Sequence, residues 1–149
     1  MALKRSMATM PPGQLLELGV SHHRAGRLDE AEAPYRVLLT RYPGDVNACH
    51  LIGVIAFGRD DKAGALDWFR RARVNKPDHT EAAIFSGLSQ MDLNRLDDAC
   101  CSFCEAVALR PGEARIYNDL GALHLRRGDA ETAMIAFALA TALKPDSGL

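Results

Sequence analysis

Residues 114–147 read ARIYNDLGALHLRRGDAETAMIAFALATALKPDS, and the landmarks of this stretch recur along the whole chain. A glycine, an alanine, an aromatic ring and a proline each return every 34 residues. The sets are Gly19, Gly53, Gly87 and Gly121; Ala31, Ala65, Ala99 and Ala133; Tyr35, Phe69, Phe103 and Phe137; and Pro43, Pro77, Pro111 and Pro145. A fixed period of this length is the signature of stacked supersecondary repeats.

Each landmark has a mechanical role in a pair of packed helices. Gly121 lacks a side chain, so a second helix can approach closely, although glycine costs about 1 kcal/mol of helix propensity. Ala133 is equally small, and Phe137 lies one turn further along the same face of the second helix. Pro145 ends that helix, because the residue before a proline is pushed toward extended geometry. Every repeat therefore predicts a helical hairpin.

The pattern predicts eight helices. The first helices run near residues 13–25, 47–58, 81–92 and 115–126, and the second near 29–41, 63–75, 97–109 and 131–143. Pro34 lies beyond the first turn of its helix and is expected to kink or delay it. Residues 1–11 precede the repeats and are predicted to form a flexible tail.

Composition agrees with an all-α protein. The chain is 48% hydrophobic and 25% charged, which is typical of a folded domain, and only 6% aromatic, which suits close helix packing. The formal net charge of −1 excludes a whole-molecule field that would attract nucleic acid or an acidic membrane. The cluster Arg70, Arg71 and Arg73 is interpreted as a solvated face. We expect neither nucleic-acid nor membrane partners.

The four cysteines indicate a reducing compartment. Cys49 stands apart from Cys100, Cys101 and Cys104, unlike the even spread of a secreted disulfide framework. The C-x-x-C of Cys101 and Cys104 lacks a second pair at zinc-site spacing, so neither a metal nor another cofactor is predicted. No secretion signal or membrane span is visible, and we predict a cytoplasmic location.

The sequence resembles the tetratricopeptide repeat family, whose pattern is a bulky residue, Leu-Gly, a ring, then Ala, Phe and Pro. The first repeat carries it in Leu15, Leu18, Gly19, Ala31, Tyr35 and Pro43, and the fourth in Tyr117, Leu120, Gly121, Ala133, Phe137 and Pro145. The resemblance implies a right-handed α-solenoid of four hairpins, residues 12–45, 46–79, 80–113 and 114–147, forming one domain.

The resemblance also implies a concave groove lined by the first helices, apolar in the middle and basic at its ends. The residues that it places there are Leu16, Val20, His23, Arg24, Asn47, His50, Val54, Phe57, Ile84, Leu88, Met91, Arg115, Asn118, Leu125 and Arg126. Such a strip is typical of peptide binding, whereas the alternative is that some of these side chains complete packing between repeats. Leu16 and Val20 replace the polar residues with which co-chaperones of the family clamp a carboxylate, so that function is not implied.

The last helix suggests assembly. Ala133 to Leu143 carries no charge, and a helix that is apolar all round is normally buried all round. A terminal repeat otherwise needs a polar outer face. We predict an assembly edge on this helix, through which the chain forms a homodimer or continues into a larger chain. Its residues are Met134, Ile135, Ala138, Leu139 and Ala142.

No catalytic constellation is suggested by the spacing of serine, histidine and carboxylate residues, so the chain is predicted not to be an enzyme. The favoured function is a scaffold that binds a peptide or amphipathic helix of another protein. One alternative is the N-terminal repeat region of a larger bacterial glycosyl- or sulfotransferase-like protein. Another is a small chaperone for the apolar segments of secretion translocators.

Overall fold

The computed structural model describes residues 2–144, apart from the side chains of Leu3 and Lys4. This part of the chain forms helices and no strands. The helices are α1 (Ala2–Thr9), α2 (Pro12–Arg24), α3 (Leu28–Arg41), α4 (Val46–Gly58), α5 (Lys62–Asn75), α6 (Thr80–Asp92), α7 (Leu96–Leu109), α8 (Ala114–Arg126) and α9 (Ala130–Leu143). The predicted all-α class is confirmed, and α2 to α9 begin and end within one residue of the predicted bounds.

The helices pack as consecutive hairpins, α2 on α3, α4 on α5, α6 on α7 and α8 on α9. Glycine and ring meet in each hairpin as the period predicts. A Cβ atom added to Gly53 would lie 2.6 Å from Cε1 of Phe69, and one added to Gly87 would lie 2.6 Å from Cε1 of Phe103. No larger residue fits there without movement of a buried ring.

Helix starts and turns repeat with the same period. The side chains of Asp45, Asp61, His79 and Asp129 each accept a hydrogen bond from a backbone N–H of the first turn of the helix that follows. The turns within the four hairpins adopt positive φ at the equivalent residues Gly26, Asp60, Asn94 and Gly128. Glycine, asparagine and aspartate are the residues that tolerate this conformation best.

The chain divides into two compact units, Met1–Pro77 and Asp78–Leu149, and the arrangement of the four hairpins as one domain stays a prediction. Unit 1 contains α1 to α5, and its core is built around Leu15, Tyr35, Leu38, Ile52 and Ile55. Unit 2 contains α6 to α9, and its core is built around Ile84, Phe103, Ala106, Ile116 and Leu123. Each unit therefore holds two of the four repeats.

The N-terminal segment differs from the prediction of a flexible tail. Ala2–Thr9 form α1, and Met7 is only 2% exposed because it packs into the core of unit 1. The Arg41 guanidinium donates hydrogen bonds to the carbonyl oxygens of Met7 (3.4 Å) and Met10 (2.6 Å). One buried methionine and one distant arginine hold a segment that has no repeat pattern of its own.

Pro34 does not delay its helix, since α3 begins at Leu28 and continues past the proline to Arg41. The proline ring is buried, so packing offsets the missing backbone donor. Pro145, the fourth of the periodic prolines, and the end of the fourth predicted repeat lie outside the described residues.

Candidate binding surfaces

The first helices of unit 1, α2 and α4, carry the predicted groove residues from Leu16 to Phe57. A pocket of about 460 Å³ lies along α2 and is lined by Leu16, Glu17, Val20, Ser21 and Arg24. Leu16 and Val20 are half-buried, whereas Glu17 and Arg24 are exposed. The pocket therefore has an apolar floor with an acid and a base seven residues apart.

Arg24 is the exposed cation of this pocket. None of the described carboxylates forms an ion pair with it, although most other arginines of the chain are engaged. The neighbouring His23 is half-buried, and its Nδ1 atom is buried without a hydrogen-bond partner among residues 2–144. Two polar groups at the end of α2, His23 Nδ1 and the Arg24 guanidinium, are thus without a partner among the described residues.

The predicted groove residues on α4 make more contacts within their own hairpin than those on α2. The His50 and Phe69 rings lie 5.6 Å apart between centroids, and Phe69 belongs to the buried core. Lys62 Nζ lies 3.4 Å from the centroid of the Phe57 ring and donates a 2.9 Å hydrogen bond to the Phe57 carbonyl. His50 and Phe57 are therefore half-buried side chains with intramolecular contacts. Val54 is also half-buried, and Asn47 is exposed.

In unit 2 the predicted residues divide between core and surface. Ile84 is fully buried and packs in the core, so it is not available to a ligand and was wrongly included in a groove lining. The physical reason is that Ile84 belongs to a core built by α6, α7 and α8 together, which its position in the period does not reveal. Leu88 and Met91 are half-buried against the same core, Asn118 is half-buried, and Leu125 is 54% exposed.

The two predicted arginines of unit 2 are occupied by intramolecular contacts. Arg115 Nη2 lies 3.2 Å from Glu81 Oε2, and its guanidinium carbon lies 5.8 Å from the centroid of the Phe85 ring. Arg126 Nη1 donates a 2.7 Å hydrogen bond to the Met91 carbonyl near the end of α6. These arginines join α8 to α6.

Asp119 is a surface feature that sequence reasoning missed. Its Oδ2 atom is buried without a hydrogen-bond partner in the described chain. Burial raises the pKa of this carboxyl to about 6, and the nearby charge of Arg115 only partly opposes that rise. Asp119 and Glu17 stand 102 residues apart, three full periods, so the spacing signals that both hold the same place on a first helix.

The predicted assembly edge lies on α9. Met134 is 72% exposed, Ile135 is 58% exposed and Leu139 is 47% exposed. Ala138 and Ala142 are exposed beside them. The structure therefore presents these five residues together on the outer side of the helix.

Ion pairs join the hairpins within each unit. Arg59 at the end of α4 contacts Asp29 and, at 2.6 Å, Glu32 of α3. Burial raises the pKa of Glu32, but hydrogen bonds and charge from Arg59 and Arg36 hold it below its ordinary value. In unit 2, Arg127 pairs with Asp97 at 2.6 Å, and this pair is the equivalent of Arg59 with Asp29.

The cysteines are free thiols. Cys49 is buried, which raises its pKa, while Cys101 and Cys104 are exposed on α7. Burial and the neighbouring Cys100 raise the pKa of Cys104. Within residues 2–144, no group of three or more histidine, cysteine and carboxylate side chains is arranged to hold a metal ion.

None of the described helices has both the length and the apolar character needed to cross a membrane.

Comparison with known proteins identifies the repeat. The sequence profile of the tetratricopeptide repeat matches residues 14–46 and 86–148, more than half of the chain. A crystal structure of MamA superposes with a TM-score of 0.83 at 22% identity, covering 89% of this chain and 77% of that chain. MamA 41-end from Desulfovibrio magneticus RS-1 superposes with a TM-score of 0.82, again at 22% identity, covering 89% and 75%. At this identity the likeness concerns the fold alone.

A curated relative has a much longer chain. Protein FlbA of Caulobacter vibrioides is 25% identical over 129 residues, which are 87% of this chain and 22% of FlbA. The chain thus spans less than a quarter of the length of this relative.

Proposed function

Because the chain belongs to the tetratricopeptide repeat family, we propose that it is a non-enzymatic binding scaffold whose α2 pocket holds a segment of another protein. The observation that carries this proposal is the combination of an apolar floor with an arginine that forms no ion pair with the described carboxylates. Leu16 and Val20 form the floor, and Arg24 stands one turn beyond Val20 on the same face.

Leu16 and Val20 favour an apolar side chain of the partner. Burial of one such side chain stabilises a complex by about 1.5–3 kcal/mol. A pocket of about 460 Å³ is large enough for one or two side chains of leucine size, within the usual range for binding sites. The partner segment therefore presents one or two apolar residues to α2.

Arg24 favours a carboxylate on the partner. A guanidinium fork binds a carboxylate through two parallel hydrogen bonds, and this geometry gives orientation as well as energy. Glu17 lies about 10 Å from Arg24 along the helix axis, seven residues at 1.5 Å each, and favours a basic or amide group. An amphipathic helix with an acid near one end and a base near the other matches both charges.

The first helices of unit 2 contribute less electrostatic specificity in this proposal. Arg115 and Arg126 already bind Glu81 and the Met91 carbonyl, so neither is free to orient a ligand at no cost. Leu88 and Met91 are half-buried against the core of unit 2, and Leu125 is exposed. Unit 1 is therefore the proposed site of recognition.

A reducing compartment such as the cytoplasm is part of the proposal, supported by the free cysteines. A second candidate is that these repeats form one segment of a longer protein, because the match to FlbA covers only 22% of that relative. The chaperone hypothesis stays a prediction.

Selection of displayed random peptides on the 149-residue protein tests the proposal. We expect enrichment of sequences in which apolar residues stand about one helical turn from an acid, the spacing of Val20 and Arg24. A selected peptide is then measured by fluorescence anisotropy against wild type, Arg24→Glu and the control Arg70→Glu. Arg70 is a suitable control because it is 68% exposed on α5.

Arg24→Glu is expected to weaken binding at least about tenfold, because it replaces an attraction by a repulsion of similar size. Arg70→Glu is expected to leave the affinity unchanged. Equal affinity for wild type and Arg24→Glu, or no enrichment of any peptide, overturns the proposed α2 site.

A further inference from the structure

Three of the four cysteines lie close together on α7. Cys101 and Cys104 are exposed, and Cys100 is half-buried against the core of unit 2. Residues three and four positions apart share a face of a helix, so the Cys104 thiol has both other thiols as neighbours. Cys100 is close enough to Cys104 to influence its thiol by charge and hydrogen bonding. The pair Cys100 and Cys104, one helical turn apart, is therefore the closest association within this cluster.

The helix opposes direct oxidation of this pair to a disulfide. Cβ atoms four residues apart on a helix lie about 5–6 Å from each other. A disulfide needs Cβ atoms about 3.5–4.5 Å apart. Closing that gap would distort α7 between Ala99 and Ala106, where both alanines and Phe103 are fully buried. The regular helix therefore keeps the two thiols separate but close together.

One atom bonded to both sulfurs can bridge the pair without distorting the helix. Two bonds of roughly 2.3 Å, the length of a zinc–sulfur bond, reach between side chains one turn apart. The bridging atom must be soft, because thiolate sulfur prefers soft partners. It must also be satisfied by two sulfurs, since the pair supplies no more.

Metal ions meet these conditions poorly. A structural zinc site needs four ligands, and the three thiols of α7 supply three at most. Copper(I) accepts fewer ligands but binds thiolates, so both thiols must release their protons. Burial and the neighbouring Cys100 raise the pKa of Cys104, which makes that release less favourable.

Trivalent arsenic meets both conditions. An organic arsenoxide exchanges its arsenic–oxygen double bond for two arsenic–sulfur bonds, and the oxygen leaves as water with the two thiol protons. Arsenite exchanges two hydroxyl groups in the same way and releases two waters. Arsenic keeps its oxidation state, and no proton is released to the solvent. The raised pKa of Cys104 therefore does not oppose the overall reaction.

We propose that Cys100 and Cys104 form a dithiol site for trivalent arsenic compounds, in which one arsenic atom bridges the two sulfurs on α7. The exposed Cys104 thiol reacts first, and Cys100 then closes the ring within the same helical turn. This site goes beyond the proposed binding function, because it lies in unit 2 and uses none of the α2 residues.

Titration of the reduced 149-residue protein with phenylarsine oxide tests the site. Mass spectrometry of the intact chain is expected to show one phenylarsenic group per chain, bound with loss of one water. A small 1,2-dithiol should remove this group, whereas a monothiol at the same concentration should not, because two linked bonds must be broken together. Far-ultraviolet circular dichroism should keep its helical signal, because the bridge leaves α7 intact.

Single substitutions identify the pair. Cys104→Ser and Cys100→Ala are each expected to weaken binding at least about 100-fold, because one remaining bond loses the high effective concentration of the second thiol. Alanine at position 100 keeps the half-buried site apolar, and circular dichroism checks that each variant stays folded. Cys101→Ser is the matched control, since it removes an exposed thiol of the same helix and keeps the pair.

The proposal is overturned if Cys101→Ser weakens binding as much as Cys100→Ala, because the arsenic then does not select the proposed pair. It is also overturned by equal binding to all variants, or by an adduct that forms only after unfolding in urea. A loss of helical signal on binding contradicts the bridging geometry and has the same consequence.

Sodium arsenite in a second arm distinguishes the two sources of trivalent arsenic. Binding of both probes, with the same order of variants, supports a site for inorganic and organic forms. Binding of phenylarsine oxide alone supports a site for organic arsenoxides. Failure of both probes to bind overturns the arsenic site and leaves the proposed α2 function untouched, since Arg24→Glu tests that function separately.

Discussion

Replacing Gly87 by alanine tests the packing principle behind every hairpin. The added Cβ atom would lie 2.6 Å from Cε1, 2.8 Å from Cδ1 and 2.8 Å from Cζ of Phe103. Phe103 is 0% exposed, so its ring has no solvent into which it can move. Alanine nevertheless has the higher helix propensity, and the two effects oppose each other.

The steric term is the larger one. Overpacking a core costs about 1–3 kcal/mol, and three ring atoms closer than 3 Å place this site near the upper end. The higher helix propensity of alanine offsets about 1 kcal/mol of this cost. We expect Gly87→Ala to lose about 2 kcal/mol net, or about 4–8 °C in Tm for a chain of this size.

Urea unfolding followed by far-ultraviolet circular dichroism measures the effect. Gly13→Ala is the matched control on α2, because no atom lies within 4 Å of its added Cβ and only the propensity gain remains. The combination of Gly87→Ala with Phe103→Leu should show a favourable coupling of about 1 kcal/mol, since the smaller side chain relieves the clash. A Gly87→Ala protein as stable as wild type refutes the reasoning.

Three further substitutions test individual groups. Burial of the Tyr35 hydroxyl raises its pKa to about 12, and the hydroxyl has no partner in the described chain. Tyr35→Phe should therefore be neutral or raise the free energy of unfolding by up to about 1 kcal/mol, as measured by urea titration. The raised pKa of Asp119 means that the folded state binds the proton more tightly, so this group lowers stability as pH rises from about 4 to about 6. After allowance for solvent screening, Asp119→Asn should gain at most about 2 kcal/mol at pH 7 and almost nothing below pH 4, which urea unfolding at both pH values checks. The lowered pKa of Glu32 has the opposite sign, with stability present above its ordinary pKa and lost as pH falls through the folded value. Glu32→Gln should cost about 1 kcal/mol at pH 7, less in high salt, and a double-mutant cycle with Arg59→Met should show coupling between the two residues; additive effects would contradict the ion pair.

The fold was largely predictable because its determinants are local and periodic. A hairpin is specified by three features that lie within one repeat. They are a small residue on the first helix, a ring one turn beyond a small residue on the second helix, and a proline after the second helix. Gly53 and Phe69 show this directly, since the spacing predicts their contact and the structure contains it. Helix bounds follow, because caps and turns recur with the same period.

The binding surfaces were less predictable. Periodicity places Leu16 and Ile84 at equivalent first-helix positions, two periods apart, yet Ile84 is fully buried and Leu16 is half-buried. Whether a side chain is covered depends on how its hairpin meets a neighbour, which the spacing does not encode. The same limit hid Asp119, whose buried carboxyl oxygen has no sequence signature.

Sequence alone determined the repeat length, the hairpin count and the apolar, uncharged character of residues 132–143, because these depend on residues near one another in the chain. Tertiary structure decided that α1 is a packed helix, since Met7 finds its core partners only when α3 is in place. It also decided that Arg115 binds Glu81, whereas Arg24 meets none of the carboxylates that the structure describes. Ion pairs between residues 34 positions apart depend on side-chain reach across two helices, and only the assembled hairpins set that distance.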